Sequence, residues 1–157
     1  MKKIFLIGFL SLFLMGFYRI SDQGKKVKWK SQNIVNIVFC PEMKKYNFKL
    51  LYSTFNQWQK HLKIRFKFKG FSNYIQEGVF VCTDSIWNHP GYDGVYAITK
   101  NTWFANSGRI EKSRIFINIK EFSYGKKSNR MKSVLLHEVG HVLGLRHSDD
   151  KKSVMYP

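Results

Sequence analysis

Acidic residues are scarce. Ten Asp and Glu face 27 Lys and Arg, so the 157-residue chain carries a net charge of +17. That excludes an acidic disordered polypeptide, while 44% hydrophobic residues, many of them aromatic, supply material for a core. Acidic, glycine-rich calcium loops are missing as well. Only two cysteines occur, Cys40 and Cys82, so at most one internal disulfide can form. No run recurs at a fixed period, which excludes solenoids and propellers. The positive charge comes without an RNA-recognition, zinc-finger or helix-turn-helix signature, so no specific nucleic-acid partner follows from it. The uncharged run Ile4 to Phe17 has 14 residues, too few for an ordinary membrane span.

That run has a different use. It follows Met1-Lys2-Lys3 and precedes Arg19 and a polar segment. A short positive start, an apolar stretch and a polar exit form the layout of an export signal. The expected organisation is a signal peptide or hydrophobic anchor over 1–24 and one domain over 25–157. The product is then secreted, or held at the cell envelope where the segment stays uncleaved. Removing 1–24 leaves the domain at roughly +15. The scattered lysines and arginines read as a solvated basic face or as a surface for an anionic envelope partner. Export would place Cys40 and Cys82 under oxidising conditions. Each ends a predicted strand, so they can bridge or remain two buried thiols. Nothing in the sequence reports an oligomeric state.

Hydrophobic patterning gives the elements. Asn33 to Cys40 is apolar and β-branched and stops at Pro41, as a buried strand does. Phe48, Leu51, Tyr52, Phe55, Trp58 and Leu62 recur at helical steps, predicting a helix over about 46–61. Lys63 to Lys69 alternates strictly and reads as a half-exposed strand. Further strands are expected at Gly78 to Thr83, Gly94 to Thr99 and Arg114 to Ile119, with a turn-rich loop from Ser85 to Asp93. Arg130 to Leu143 predicts a second helix. The order implies an α+β fold: about five strands in one mixed, twisted sheet, with a long helix before and another after. His89, in Asn-His-Pro-Gly, reads as a surface turn residue, and His61 as a favourable cation near a helix end.

The chemistry lies in the last 21 residues. His137-Glu138-Val139-Gly140-His141-Val142-Leu143-Gly144-Leu145-Arg146-His147 has the form H-E-x-x-H-x-x-G-x-x-H. On a helix, His137 and His141 project from one face and can share a metal ion. Glu138, beside the first ligand, can act on water without ligating the metal. Gly144 stands where the helix must stop, because a left-handed cap needs no Cβ. The reversed chain can then return His147 as a third ligand. Three protein ligands leave one position open, the pattern of a catalytic zinc rather than a closed structural one. The chance of five fixed residues matching is on the order of one in 100,000. Three of the chain's five histidines fall on the motif.

This segment resembles the metzincin zinc peptidases, and within them the matrixin branch in a minimal form. Ser148 follows the third histidine, and seven residues separate His147 from Met155 in Val154-Met155-Tyr156-Pro157. Astacin-like and serralysin-like chains place tyrosine where Pro157 stands. The resemblance implies a zincin-like fold and one catalytic Zn2+ on His137, His141 and His147. It also implies Glu138 as general base, Met155 as an apolar floor under the imidazoles, and hydrolysis of a peptide or protein substrate. The substrate would lie extended on the sheet edge near Gly94 to Thr99. Only His61 and His89 lie outside the motif, so the structural zinc of animal matrixins is not expected, nor is calcium. The family continues beyond the Pro157 position into a C-terminal helix, so the resemblance leaves three expectations open: a truncated gene product, an open specificity pocket or an unstable domain. A second function class is a basic, metzincin-like binding protein without peptidase activity.

Overall fold

The computed structural model describes Arg19 and residues 23–30, 34–46, 48–121 and 127–157. The hydrophobic segment expected as the leader lies outside the described residues apart from Arg19 and residues 23–24. The elements run β1 (Ile34–Phe39), a 3-10 turn (Pro41–Lys45), α1 (Phe48–Gln59), β2 (Arg65–Phe71), β3 (Gly78–Asp84), β4 (Ala97–Trp103), β5 (Ile110–Asn118) and α2 (Lys127–Val142).

The five strands form one mixed sheet in the order β2-β1-β3-β5-β4. β1 pairs in parallel with β2 and β3, and β3 with β5; β4 runs antiparallel to β5. Parallel neighbours need crossovers, and α1 supplies the one between β1 and β2. β4 is left as an edge strand. Among the described residues, its outer edge of backbone groups has no strand partner.

One face of the sheet is covered by both helices. Val35, Ile37 and Phe39 of β1, Val79 and Val81 of β3, and Ile115 and Ile117 of β5 point that way and are buried. Leu51 and Phe55 of α1 and Leu135, Val139 and Val142 of α2 fill the other side of the same cluster. Alternation along each strand produces this sorting, because successive side chains face opposite ways. The opposite face carries Arg65, Lys67, Arg114 and Lys100, all exposed. Cys40 and Cys82 are joined as a disulfide, tying the end of β1 to β3. Of the two thiol states open from the sequence, the bonded one is present.

Element boundaries moved furthest in two strands, while β2 runs Arg65–Phe71 against the expected 63–69 and α2 begins at Lys127 against the expected Arg130. β4 begins at Ala97 and continues to Trp103, whereas the sequence pointed to 94–99. Lys100-Asn101-Thr102 is too polar to read as a strand, but an edge strand tolerates polar residues on both sides. β5 begins at Ile110, earlier than the expected Arg114, because Glu111-Lys112-Ser113 masks its start. The 3-10 turn after Pro41 was not anticipated.

Candidate metal centre

Helix α2 carries the first two histidines. His137 and His141 lie one turn apart, with Nε2 atoms 3.1 Å from each other. The helix ends at Gly144, which has φ +88°. A side chain there would also run into the carbonyl of Val27, since the N-terminal segment passes directly over it. The turn sends the chain back, and His147 Nε2 arrives 3.1 Å from His141 Nε2.

The tautomers follow from the outer contacts. His137 Nδ1–H donates to the Val154 carbonyl and His141 Nδ1–H donates to that of Leu145, each at 2.8 Å. A neutral imidazole with its proton on Nδ1 presents a lone pair at Nε2. Lone pairs therefore converge where no proton can bridge them, which is the arrangement a shared cation satisfies. Zinc–imidazole bonds of about 2.0–2.1 Å in tetrahedral geometry place ligand nitrogens slightly over 3 Å apart, so this donor set fits zinc. Carbonyl partners on the far nitrogens also hold the rings in the liganding orientation. Burial favours the neutral rings. It lowers His137, with the Val154 contact opposing, and pushes His141 down to about 4, where the nearby charges of His137, His147 and Arg19 add to the effect.

Glu138 lies in the wall of the cleft, with 5% of its surface exposed. Burial raises its pKa to about 7, against an opposing hydrogen bond from Thr99. The Thr99 hydroxyl of β4 is 2.5 Å from Glu138 Oε2 and 3.2 Å from the Glu138 carbonyl. A divalent cation in the triad would draw this carboxyl back toward its ionised form.

Several groups fix α2 by its carbonyls. Trp58 Nε1 donates to Leu136 at 2.8 Å, Asn101 Nδ2 to His141 at 2.7 Å and Trp29 Nε1 to Val142 at 2.8 Å. The Trp29 bond satisfies an acceptor that the end of a helix leaves open, and the Asn101 bond adds to the one that the His141 carbonyl accepts from the Gly144 N–H. Met155 is buried beside Gly140, its sulfur where a Cβ on that glycine would sit, and Trp58 is also close. Gly140, inside the motif but not among its fixed positions, therefore has a packing reason of its own. The loop from His147 to Met155 is pinned by Ser148 N–H donating to the Met155 carbonyl at 2.8 Å and by Lys152 N–H donating to Asp150 Oδ1 at 2.9 Å.

The structure thus brings together His137, His141, His147, Glu138, Gly144 and Met155. Sequence reasoning missed Thr99, Asn101, Gly140 and Arg19. His89 departs from its expected role. Its ring is half-buried against Trp87 and Phe116, 3.1 Å from Asp84 Oδ2 and 3.3 Å from Lys100 Nζ. It anchors the loop after β3 rather than standing on the surface. His61 is exposed just beyond the end of α1, as expected.

The triad opens into a cleft of about 1250 Å³ between β4 and the loop that follows His147. The family model that matches is Matrixin, over residues 18–157. The chain belongs to the matrixin family. Metalloendoproteinase 4-MMP of Arabidopsis thaliana is 37% identical over 68 residues, 42% of this matrixin and 20% of that protein. Macrophage metalloelastase of Rattus norvegicus is 26% identical over 122 residues, 76% of this matrixin and 25% of that protein. The match thus spans a fifth to a quarter of these relatives' length. Among solved structures, one titled "Structure of myroilysin" aligns with TM-score 0.48 at 14% identity, over 77% of this matrixin and 52% of that chain. A hatching-enzyme zinc protease of Oryzias latipes aligns with TM-score 0.44 at 14% identity, over 84% and 55%.

Proposed function

We propose that this matrixin is a secreted zinc metalloendopeptidase. The observation that carries the reading is the set of three converging Nε2 atoms with the Glu138 carboxyl at their side. A zinc ion held by His137, His141 and His147 supplies Lewis acidity toward the scissile carbonyl and toward water. Glu138 is the general base. Its Oε2 is held by Thr99, and its Oε1 makes no hydrogen bond among the described residues. Oε1 is therefore the atom that takes a proton from water and later delivers it to the leaving amine nitrogen. The substrate backbone lies along the free edge of β4 as an added strand. Thr99 is on that strand, so the edge that seats the peptide also orients the base.

Secretion is supported by the charged-then-apolar start of the chain and by the Cys40–Cys82 disulfide, which persists in oxidising compartments. The Arg19 N–H donates to the Gly144 carbonyl and its own carbonyl accepts from Val27, each at 2.7 Å. Export processing that preserves this contact falls before Arg19, earlier than the 24/25 boundary read from the sequence. N-terminal sequencing of the secreted form checks this.

The activity is tested with a pool of quenched peptides and the full chain. Cleavage abolished by a chelator and restored by zinc is expected. Absence of cleavage with one zinc bound per chain would overturn the peptidase reading.

A further inference from the structure

We infer that the cleft selects substrates with an acidic side chain at its Arg19–Arg146 end; this rests on the peptidase reading of the same site. The cleft is not uniform along its length. Toward the start of α2 the lining holds Val134 and Tyr96, whose hydroxyl accepts from Arg130 Nη1 at 3.1 Å. Toward Gly144, whose carbonyl accepts from the Arg19 N–H, it holds Arg19 and Arg146. Val134 and Gly144 are ten residues apart along the chain, which corresponds to about 15 Å of helix and turn. An extended peptide of about five residues spans that distance.

The two arginines are held there by the fold. Backbone hydrogen bonds clamp Arg19 to Gly144 and Val27, and Arg146 directly precedes the ligand His147. Neither has a carboxylate within ion-pairing distance among the described residues. Lys100 and Lys152 bring the cations of the lining to four. The acids of the lining are Glu138, which is committed to the chemistry, and Asp149. A concave wall focuses such a field, and a guanidinium binds carboxylate through two parallel N–H groups. The Arg19–Arg146 end takes Asp or Glu.

The test uses fluorescence anisotropy with the zinc-loaded full chain carrying Glu138→Ala, so that bound peptides stay intact. Labelled peptides are paired, with Asp or Glu against Asn or Gln at each of three positions on either side of the cleaved bond. Tighter binding of the acidic twin by about tenfold is expected at positions on one side only, falling as salt is raised. Arg19→Glu and Arg146→Glu, made separately, should each reduce that ratio to about one or invert it. Equal binding of the twins at every position would overturn the inference, and so would a preference that survives both variants. Cleavage by the parent chain is scored on the same peptides. Acid preference without cleavage removes the peptidase reading and leaves the selectivity standing. Cleavage without acid preference does the reverse.

Discussion

Thr99 shows how much of a catalytic site depends on a residue outside its motif. One hydroxyl, 2.5 Å from Glu138 Oε2, sets which carboxylate oxygen is held and which is free. Thr99→Val keeps the shape of the side chain and removes the bond. Zinc content should stay at one per chain, while kcat/KM falls about tenfold, the worth of a lost hydrogen bond to a charged group. Loss of zinc in that variant would make Thr99 structural. The H-E-x-x-H-x-x-G-x-x-H spacing made the three clustered histidines, the carboxylate beside them and the helix stop legible in the sequence, because helical geometry ties those positions to one another. It could not give Thr99 or Asn101. Both lie about 40 residues upstream in sequence and meet α2 only through the sheet. Gly140 was equally hidden, since its reason is the sulfur of Met155.

Among the elements, the loop after β3 has the most to explain. Asp84 Oδ1 accepts from Ile86 and Trp87 N–H, and Oδ2 meets His89, which in turn faces Lys100 on β4. Burial alone would raise this carboxyl. The two backbone donors and His89 outweigh it and hold it below the usual carboxylate value of 3.8. A carboxyl depressed in the folded state contributes stability that is present above its unfolded pKa and lost as pH falls through its folded one. Asp84→Asn should therefore lower the melting temperature at neutral pH. The gap to the parent should narrow as pH falls below about 4. A gap independent of pH would remove the charge from the account. The sequence marked this segment as turn-rich and left His89 on the surface, because a turn signal reports backbone and not what the side chains meet. β4 was placed with too short a span for a related reason. Its polar second half has strand conformation only because β5 pairs with it.

Across the molecule, the sheet and its two helices were foreseen in kind and order, since apolar periodicity reports burial directly. Strand adjacency was not. The order β2-β1-β3-β5-β4 follows from crossovers that no local pattern encodes. That order brings Cys40 and Cys82 together from 42 residues apart. A closed loop of that length restricts the unfolded chain by about 4 kcal/mol. Replacing both cysteines by alanine should lower unfolding stability in urea by about 3–4 kcal/mol, with the metal site still able to bind zinc. An unchanged stability would mean that the disulfide is dispensable to the fold. The N-terminal segment has its own long-range role, since Val27, Trp29 and Arg19 close over the end of α2. Nothing in the composition of residues 19–30 points to that contact.

The proposed hydrolytic zinc centre rests on the His137–His141–His147 triad and Glu138. Its most direct test compares peptide cleavage and zinc content of the full chain with those of Glu138→Ala. One zinc per chain is expected in both, with turnover lower in the variant by at least about a thousandfold, as where a general base is lost from a water-activating site. Turnover retained by Glu138→Ala would overturn the role of Glu138 in that centre.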